Sequence, residues 1–268
     1  RLQGNVDAIY FNEKLYIGKR EEVFVYNEST GNFDLFYHLA GKNITLSCLH
    51  LDKNKNLWMG TTSNGIYCLS EDKSLSRPVT KGNITSIYED SSNELWIGSW
   101  EEGLYRVKTD GNIENLRHNP MNTNSLCSNF VRSCCEDNSG DLWIGTFNGL
   151  NRYDRETGKF HLYTANGNSP DGLTHSSIWC IVKDGQGTIW LGTYFGGVNY
   201  FNPEYEIYTR YKVGDTEKAG LSSPIVGRMT EDKDGNLWIC TEGGGVNVYD
   251  RINNTYRWYR HEEGRNSK

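Results

Sequence analysis

The apolar positions of this chain fall into a phrase that recurs six times: aliphatic, aromatic, aliphatic or Met, then a small residue. It reads Leu15-Tyr16-Ile17-Gly18, Leu57-Trp58-Met59-Gly60, Leu95-Trp96-Ile97-Gly98, Leu142-Trp143-Ile144-Gly145, Ile189-Trp190-Leu191-Gly192 and Leu237-Trp238-Ile239-Cys240. Successive copies end 42, 38, 47, 47 and 48 residues apart. Strand-forming residues at a spacing near 45 are the signature of a β-propeller, in which each repeat folds as a four-stranded blade.

The polar positions keep the same register. Asp52, Asp90, Asp137, Asp184 and Asp232 stand five residues before the phrase, and turn formers such as Asn138-Ser139-Gly140 and Lys233-Asp234-Gly235 connect them to it. This predicts an inner strand, a tight hairpin and a Trp-bearing second strand. The first copy has Tyr10 in the Asp position and reads as degenerate. Downstream, segments such as Gly149-Leu150-Asn151-Arg152-Tyr153-Asp154 supply a third strand, and Phe160-His161-Leu162-Tyr163 a fourth. The expected blades cover about 4–39, 44–79, 83–117, 129–164, 176–212 and 224–260.

Composition supports an all-β chain. The 268 residues include 4 Ala and 3 Met against 29 Gly, 28 Asn, 17 Tyr and 8 Trp, so helix formers are scarce and strand and turn formers plentiful. No run approaches 18 apolar residues, so no direct membrane contact is expected from this segment. A net charge of -6 without clustered Lys and Arg argues against nucleic acid as a partner. The 7 Cys lack metal-ligand spacing and read as buried reduced thiols.

The phrase from Glu136 to Thr146, followed by Gly149-Leu150-Asn151-Arg152-Tyr153-Asp154 and Thr157-Gly158-Lys159-Phe160, resembles the two-component regulator propeller repeat. So do the loops Asn124-Ser125-Leu126-Cys127-Ser128-Asn129 and Leu221-Ser222-Ser223. The resemblance implies an extracytoplasmic (periplasmic) sensor module of a hybrid two-component histidine kinase. It also implies an oligosaccharide inducer, and neighbouring propeller and immunoglobulin-like domains in the full-length chain as partners. Family members have seven-bladed rings, so the six copies here suggest part of a seven-bladed ring, with a six-bladed ring closed by side-chain packing as the competing reading. Exposed blade edges would favour a homodimer.

The repeated residues read as structural. Trp58, Trp96, Trp143, Trp190 and Trp238 are expected in the core between blades, with Gly allowing close backbone approach. The repeated Asp residues are expected to cap their own turns, since their spacing does not match a calcium loop. The six His residues have no zinc spacing, no nucleophile or phosphate-binding motif is present, and neither metal nor cofactor is expected.

Chemistry is expected where copies differ, on the loops of one face. Extra length falls in Asn119 to Asn129, Asn166 to Ser177 and Gly214 to Pro224. Stacking candidates there are Trp100, Phe147, Trp179, Tyr194 and Phe195, with Glu101, Arg132, Asn148, Arg228 and Glu242 as polar partners. Aromatic faces beside amide, carboxylate and guanidinium groups suit sugar rings. The function expected is a non-enzymatic ligand sensor; a propeller lyase and a protein-binding scaffold are the alternatives.

Overall fold

The structure is a computed structural model that describes residues 6–11, 13–41, 43–165, 172–202, 207–214, 216 and 220–260. The side chain of Tyr10 and parts of two long loops, 166–171 and 215 with 217–219, lie outside what is described. Among the described residues every regular element is a strand. The strands form six four-stranded antiparallel sheets, each pairing its strands in sequence order, so the chain is an all-β propeller of six blades.

The chain divides into two compact units, residues 1–117 with 129–131, and 118–128 with 132–268. The first unit holds three blades, whose second strands are Lys14–Lys19, Leu57–Thr61 and Leu95–Ser99. The second holds three more, with second strands Leu142–Thr146, Ile189–Thr193 and Leu237–Thr241.

The Asp and Trp of the second to sixth repeats form one hydrogen-bonded device. Asp137 Oδ1 accepts from the backbone N–H of Ser139 at 2.9 Å and of Asp141 at 3.0 Å, while its Oδ2 accepts from Trp143 Nε1 at 2.7 Å. Asp184 does the same for Gln186, Thr188 and Trp190. Asp52, Asp90 and Asp232 likewise hold their turns and take the indoles of Trp58, Trp96 and Trp238 at 2.7–2.8 Å. The predicted turn cap is present, and it also fixes the aromatic ring. Around Asp232 these donors, the Trp238 indole first, hold the carboxyl down at about 2. This cap is therefore fully charged above the ordinary Asp range and is lost only as pH falls through about 2.

Within each unit the ring so fixed meets the next blade. Trp58 packs with Ile84, Leu95 and Ile97, Trp143 lies edge-on to Phe201 at 4.9 Å, and Trp190 packs with Leu237 and Ile239. The Gly that ends the phrase admits the neighbour's inner strand: a Cβ on Gly192 would lie 2.4 Å from Cys180 Sγ and 2.6 Å from Val226 Cγ1.

Trp238 corrects the expectation that all five are core. It is 38% exposed and stacks on Tyr259 of its own blade, with ring centres 6.0 Å apart. Trp143 and Trp190, by contrast, are covered by groups of the blade that follows within the same unit. The Trp238 strand also loses the constraint on glycine, and Cys240 stands there exposed. The expectation of buried thiols holds for Cys48, Cys68, Cys134, Cys135 and Cys180, while Cys127 is half-buried; all seven are free.

A second repeated device belongs to the second unit alone. Asn151, Asn199 and Asn247 sit fully buried on third strands. Each accepts from one backbone N–H of the preceding long loop, that of Cys127, Thr174 or Ser222, at 2.8–3.0 Å. Each returns a bond from its own Nδ2 to the same residue's Sγ or Oγ. Tyr67 and Tyr105 occupy this register in the first unit, where the preceding connections are shorter. Thus the blades with long loops are the blades that carry the amide clip.

Trp143→Ala removes a fully buried ring and is expected to cost about 3–5 kcal/mol, whereas Trp238→Ala should cost less than half of that in the same denaturant titration. Equal losses would contradict this packing. Asn199→Ala leaves the Thr174 amide without its acceptor, a loss of about 1–3 kcal/mol; limited proteolysis should then cleave near residues 172–177 faster than in the wild type. Burial pushes the Cys180 thiol up to about 12, and Cys134 and Cys135 are raised by the same cause. Under native conditions at pH 8 an aromatic disulfide reagent should therefore label Cys240 first, with the three buried thiols released only on unfolding.

Candidate functional site

The turn between second and third strands carries most of the predicted site residues, and in the third to fifth blades one side chain fixes its shape. Thr193 Oγ1 donates to the Gly197 carbonyl at 2.9 Å and accepts the Gly196 N–H at 2.9 Å. Thr146 makes the equivalent bonds to Gly149 and Asn148, and Ser99 to Gly103 and Glu102. These hydroxyls are fully buried, so the variable residues between them stand on rigid supports.

In the fifth blade the turn meets the long loop. Leu173 is buried, Thr174 is held by Asn199, and the Arg210 guanidinium donates twice to the Gly172 carbonyl at 2.7 and 3.0 Å. Tyr194 N–H donates to the Ser177 carbonyl at 3.1 Å. His175 Nδ1 accepts the Ser177 N–H at 3.0 Å, which places the proton of the neutral ring on Nε2.

These anchors gather an aromatic cluster. The Trp179 and Tyr194 rings stack with centres 4.9 Å apart and planes 18° from parallel. Phe195 packs edge-on to Tyr194 at 4.3 Å, and His175 lies 6.5 and 6.2 Å from the two. The Arg132 guanidinium, from the inner strand of the preceding blade, sits 4.4 Å from the Trp179 ring centre. Burial draws this guanidinium below its usual pKa range. Trp179 Nε1 is buried with no hydrogen-bond partner among the described residues.

Four predicted residues, Arg132, Trp179, Tyr194 and Phe195, thus come together, and His175 joins them. His175 was considered in the sequence only as a metal ligand; its place beside Tyr194 depends on the loop's path and carries no motif. Trp179 and Tyr194 are half-buried and spend ring area on each other, so the aromatic surfaces left to solvent are Phe195, 55% exposed, and Phe147, 46% exposed. Phe147 and Asn148 stand at the equivalent turn of the fourth blade, and Glu242 at that of the sixth, all exposed. Arg228 is exposed on the inner strand of the sixth blade.

The first unit treats its two candidates differently. Trp100 forms a backbone bridge with Phe130 and packs edge-on to that ring at 5.0 Å. Glu101 is exposed and takes a left-handed backbone, φ 100°, which is costly for a residue with a side chain. Its carbonyl accepts from Arg117 Nη2 at 3.1 Å, and its N–H donates to the Asn129 carbonyl at 3.2 Å.

A family model described as two component regulator propeller matches residues 78–101, 125–148, 172–195 and 220–243. No curated protein matches the chain in sequence. Among solved structures, virginiamycin B lyase from Staphylococcus aureus is 15% identical, aligned over 98% of this chain and 86% of its own with a TM-score of 0.73. PorZ of Porphyromonas gingivalis, a surface component of the type-IX secretion system, is 13% identical over 91% of this chain and 38% of its own, with a TM-score of 0.70. An extracellular domain from B. thetaiotaomicron described as a one component system aligns at 20% identity over 92% of this chain and 40% of its own, with a TM-score of 0.41. At these identities the two larger scores establish a shared propeller fold. The third to sixth blades each contain one matched segment, spanning the inner strand, the Asp turn and the Trp strand, and these segments are similar to the two component regulator propeller repeat.

Proposed function

We propose that this propeller is the extracytoplasmic ligand-sensing module of a hybrid two-component sensor, and that it binds an oligosaccharide at the loop face of its fourth to sixth blades. The observation that carries the reading is the cluster of Arg132, His175, Trp179, Tyr194 and Phe195, assembled on turns that buried hydroxyls and amides hold in place. Sugar rings stack their C–H faces on aromatic surfaces, here Phe195 and Phe147, while their hydroxyls take directional bonds from groups such as Arg132, His175 and Asn148. A pre-formed site of this kind loses little entropy on binding.

Signalling then needs the ligand to favour one arrangement of this module against its neighbours in the full-length protein, through a difference in affinity between two arrangements. Those neighbours would be a further propeller and an immunoglobulin-like domain, with the kinase on the far side of the membrane. In this reading the segment itself performs no chemistry.

Calorimetric titration with a panel of neutral and acidic oligosaccharides tests the site. A binder should lose at least tenfold in affinity on Tyr194→Ala and on Phe195→Ala, and Asn148→Ala should weaken it further. Binding that survives all three changes would remove this face, and release of a shortened or unsaturated product during the titration would replace the sensor by a lyase.

A further inference from the structure

The opposite end of the same blades holds a cavity that the sensor reading does not use. It measures about 550 Å³ and lies between the fifth and sixth blades, among the Asp hairpins. Trp190 forms its floor, and Tyr200, Tyr211 and Tyr249 its walls; Gln186 and Thr209 stand at the mouth. Trp190 and Tyr194 are four residues apart along one extended segment, about 13 Å, so this cavity and the loop-face cluster are separate places.

Its electrostatics are unusual for an Asp-rich face. Arg251, also in the lining, bridges Asp184 of the fifth blade and Glu231 of the sixth, and its Nε donates to the Gly235 carbonyl at 2.7 Å. Three of its donor directions are thus used inside the wall, and its charge is balanced by two carboxylates there. The guanidinium plane lies 5.7 Å from the Trp190 ring centre and completes the floor without offering an open cation. What faces the cavity is aromatic surface together with the phenol hydroxyls, the Thr209 hydroxyl, the Gln186 amide and one carboxylate, that of Asp234, whose negative charge disfavours an anionic ligand. The Tyr211 and Tyr249 phenols are linked to each other, and Tyr249 donates onward to Asn254 Oδ1 at 3.0 Å, so the walls are ordered before any ligand arrives.

A cavity of this volume falls in the range of small-molecule sites, and its lining combines ring faces with uncharged donors and acceptors and the single carboxylate of Asp234. We infer that the cleft is a second binding site, for a neutral saccharide, distinct from the loop-face site and placed where a ligand would touch two blades at once. The inference stands on this lining and holds whether or not the loop face binds sugar.

Titration calorimetry with maltotriose, cellotriose and xylotriose as neutral probes, and trigalacturonate as the anionic one, tests it. Thr209 is exposed on an outer strand, so Thr209→Trp fills the mouth without disturbing the core. A neutral trisaccharide should bind the wild type and weaken at least tenfold in Thr209→Trp and severalfold in Gln186→Ala. The Trp179→Ala, Tyr194→Ala double variant should leave this binding unchanged. Affinity lost only in the double variant would overturn the cleft and leave the loop face standing; affinity lost only in Thr209→Trp and Gln186→Ala would support the cleft and leave the loop face to its own titration. The cleft is also overturned if only trigalacturonate binds or if no probe binds, and a melting midpoint for Thr209→Trp equal to the wild type shows that the cavity, and not the fold, was changed.

Discussion

Five of the six blades depend on a single carboxylate that does two things. One oxygen of Asp137, for example, closes the hairpin between first and second strands, and the other takes the proton of the Trp143 indole. An indole buried without an acceptor would carry a desolvation cost, and a turn without its cap would fray. Because both demands meet in one residue, hairpin geometry and ring orientation are set together. The ring then presents a fixed surface to the next blade, and the glycine two residues on lets that blade come close. Four copies of this arrangement, those of Trp58, Trp96, Trp143 and Trp190, make the stacking surface regular even though the outer strands differ in length and sequence.

Much of this was legible in the residues. The hydrophobic phrase located the second strands, the Asp position located the hairpins, and the Gly after each turn located the third strands. What failed was environmental. Trp238 stands between Leu and Ile as Trp143 does, yet it is exposed, because what covers the ring comes from another blade and no local pattern encodes that. Cys240 in place of Gly was a visible hint of that difference, since a side chain there is tolerated only where no inner strand presses against it.

The candidate site was legible by location and not by partnership. Variable turns between second and third strands named Tyr194 and Phe195, and the inner-strand starts named Arg132 and Trp179. Their stacking could not be foreseen because it requires the loop before the fifth blade to fold down onto Asn199. His175 enters the cluster through that same loop. The three buried Asn residues stood in the quoted repeat, yet an Asn on a strand reads as an ordinary polar position until its partner, a loop residue some 24 or 25 positions earlier, is known.

The amide clip has a consequence for how such a module changes over generations. It fastens each long loop close to the inner strand, at Cys127, Thr174 or Ser222. Insertions and substitutions upstream of the fastener therefore alter the loop face while the Asp–Trp device keeps its geometry. Loop sequence and foldability become separately mutable traits, and a lineage can vary that face with little risk to the scaffold.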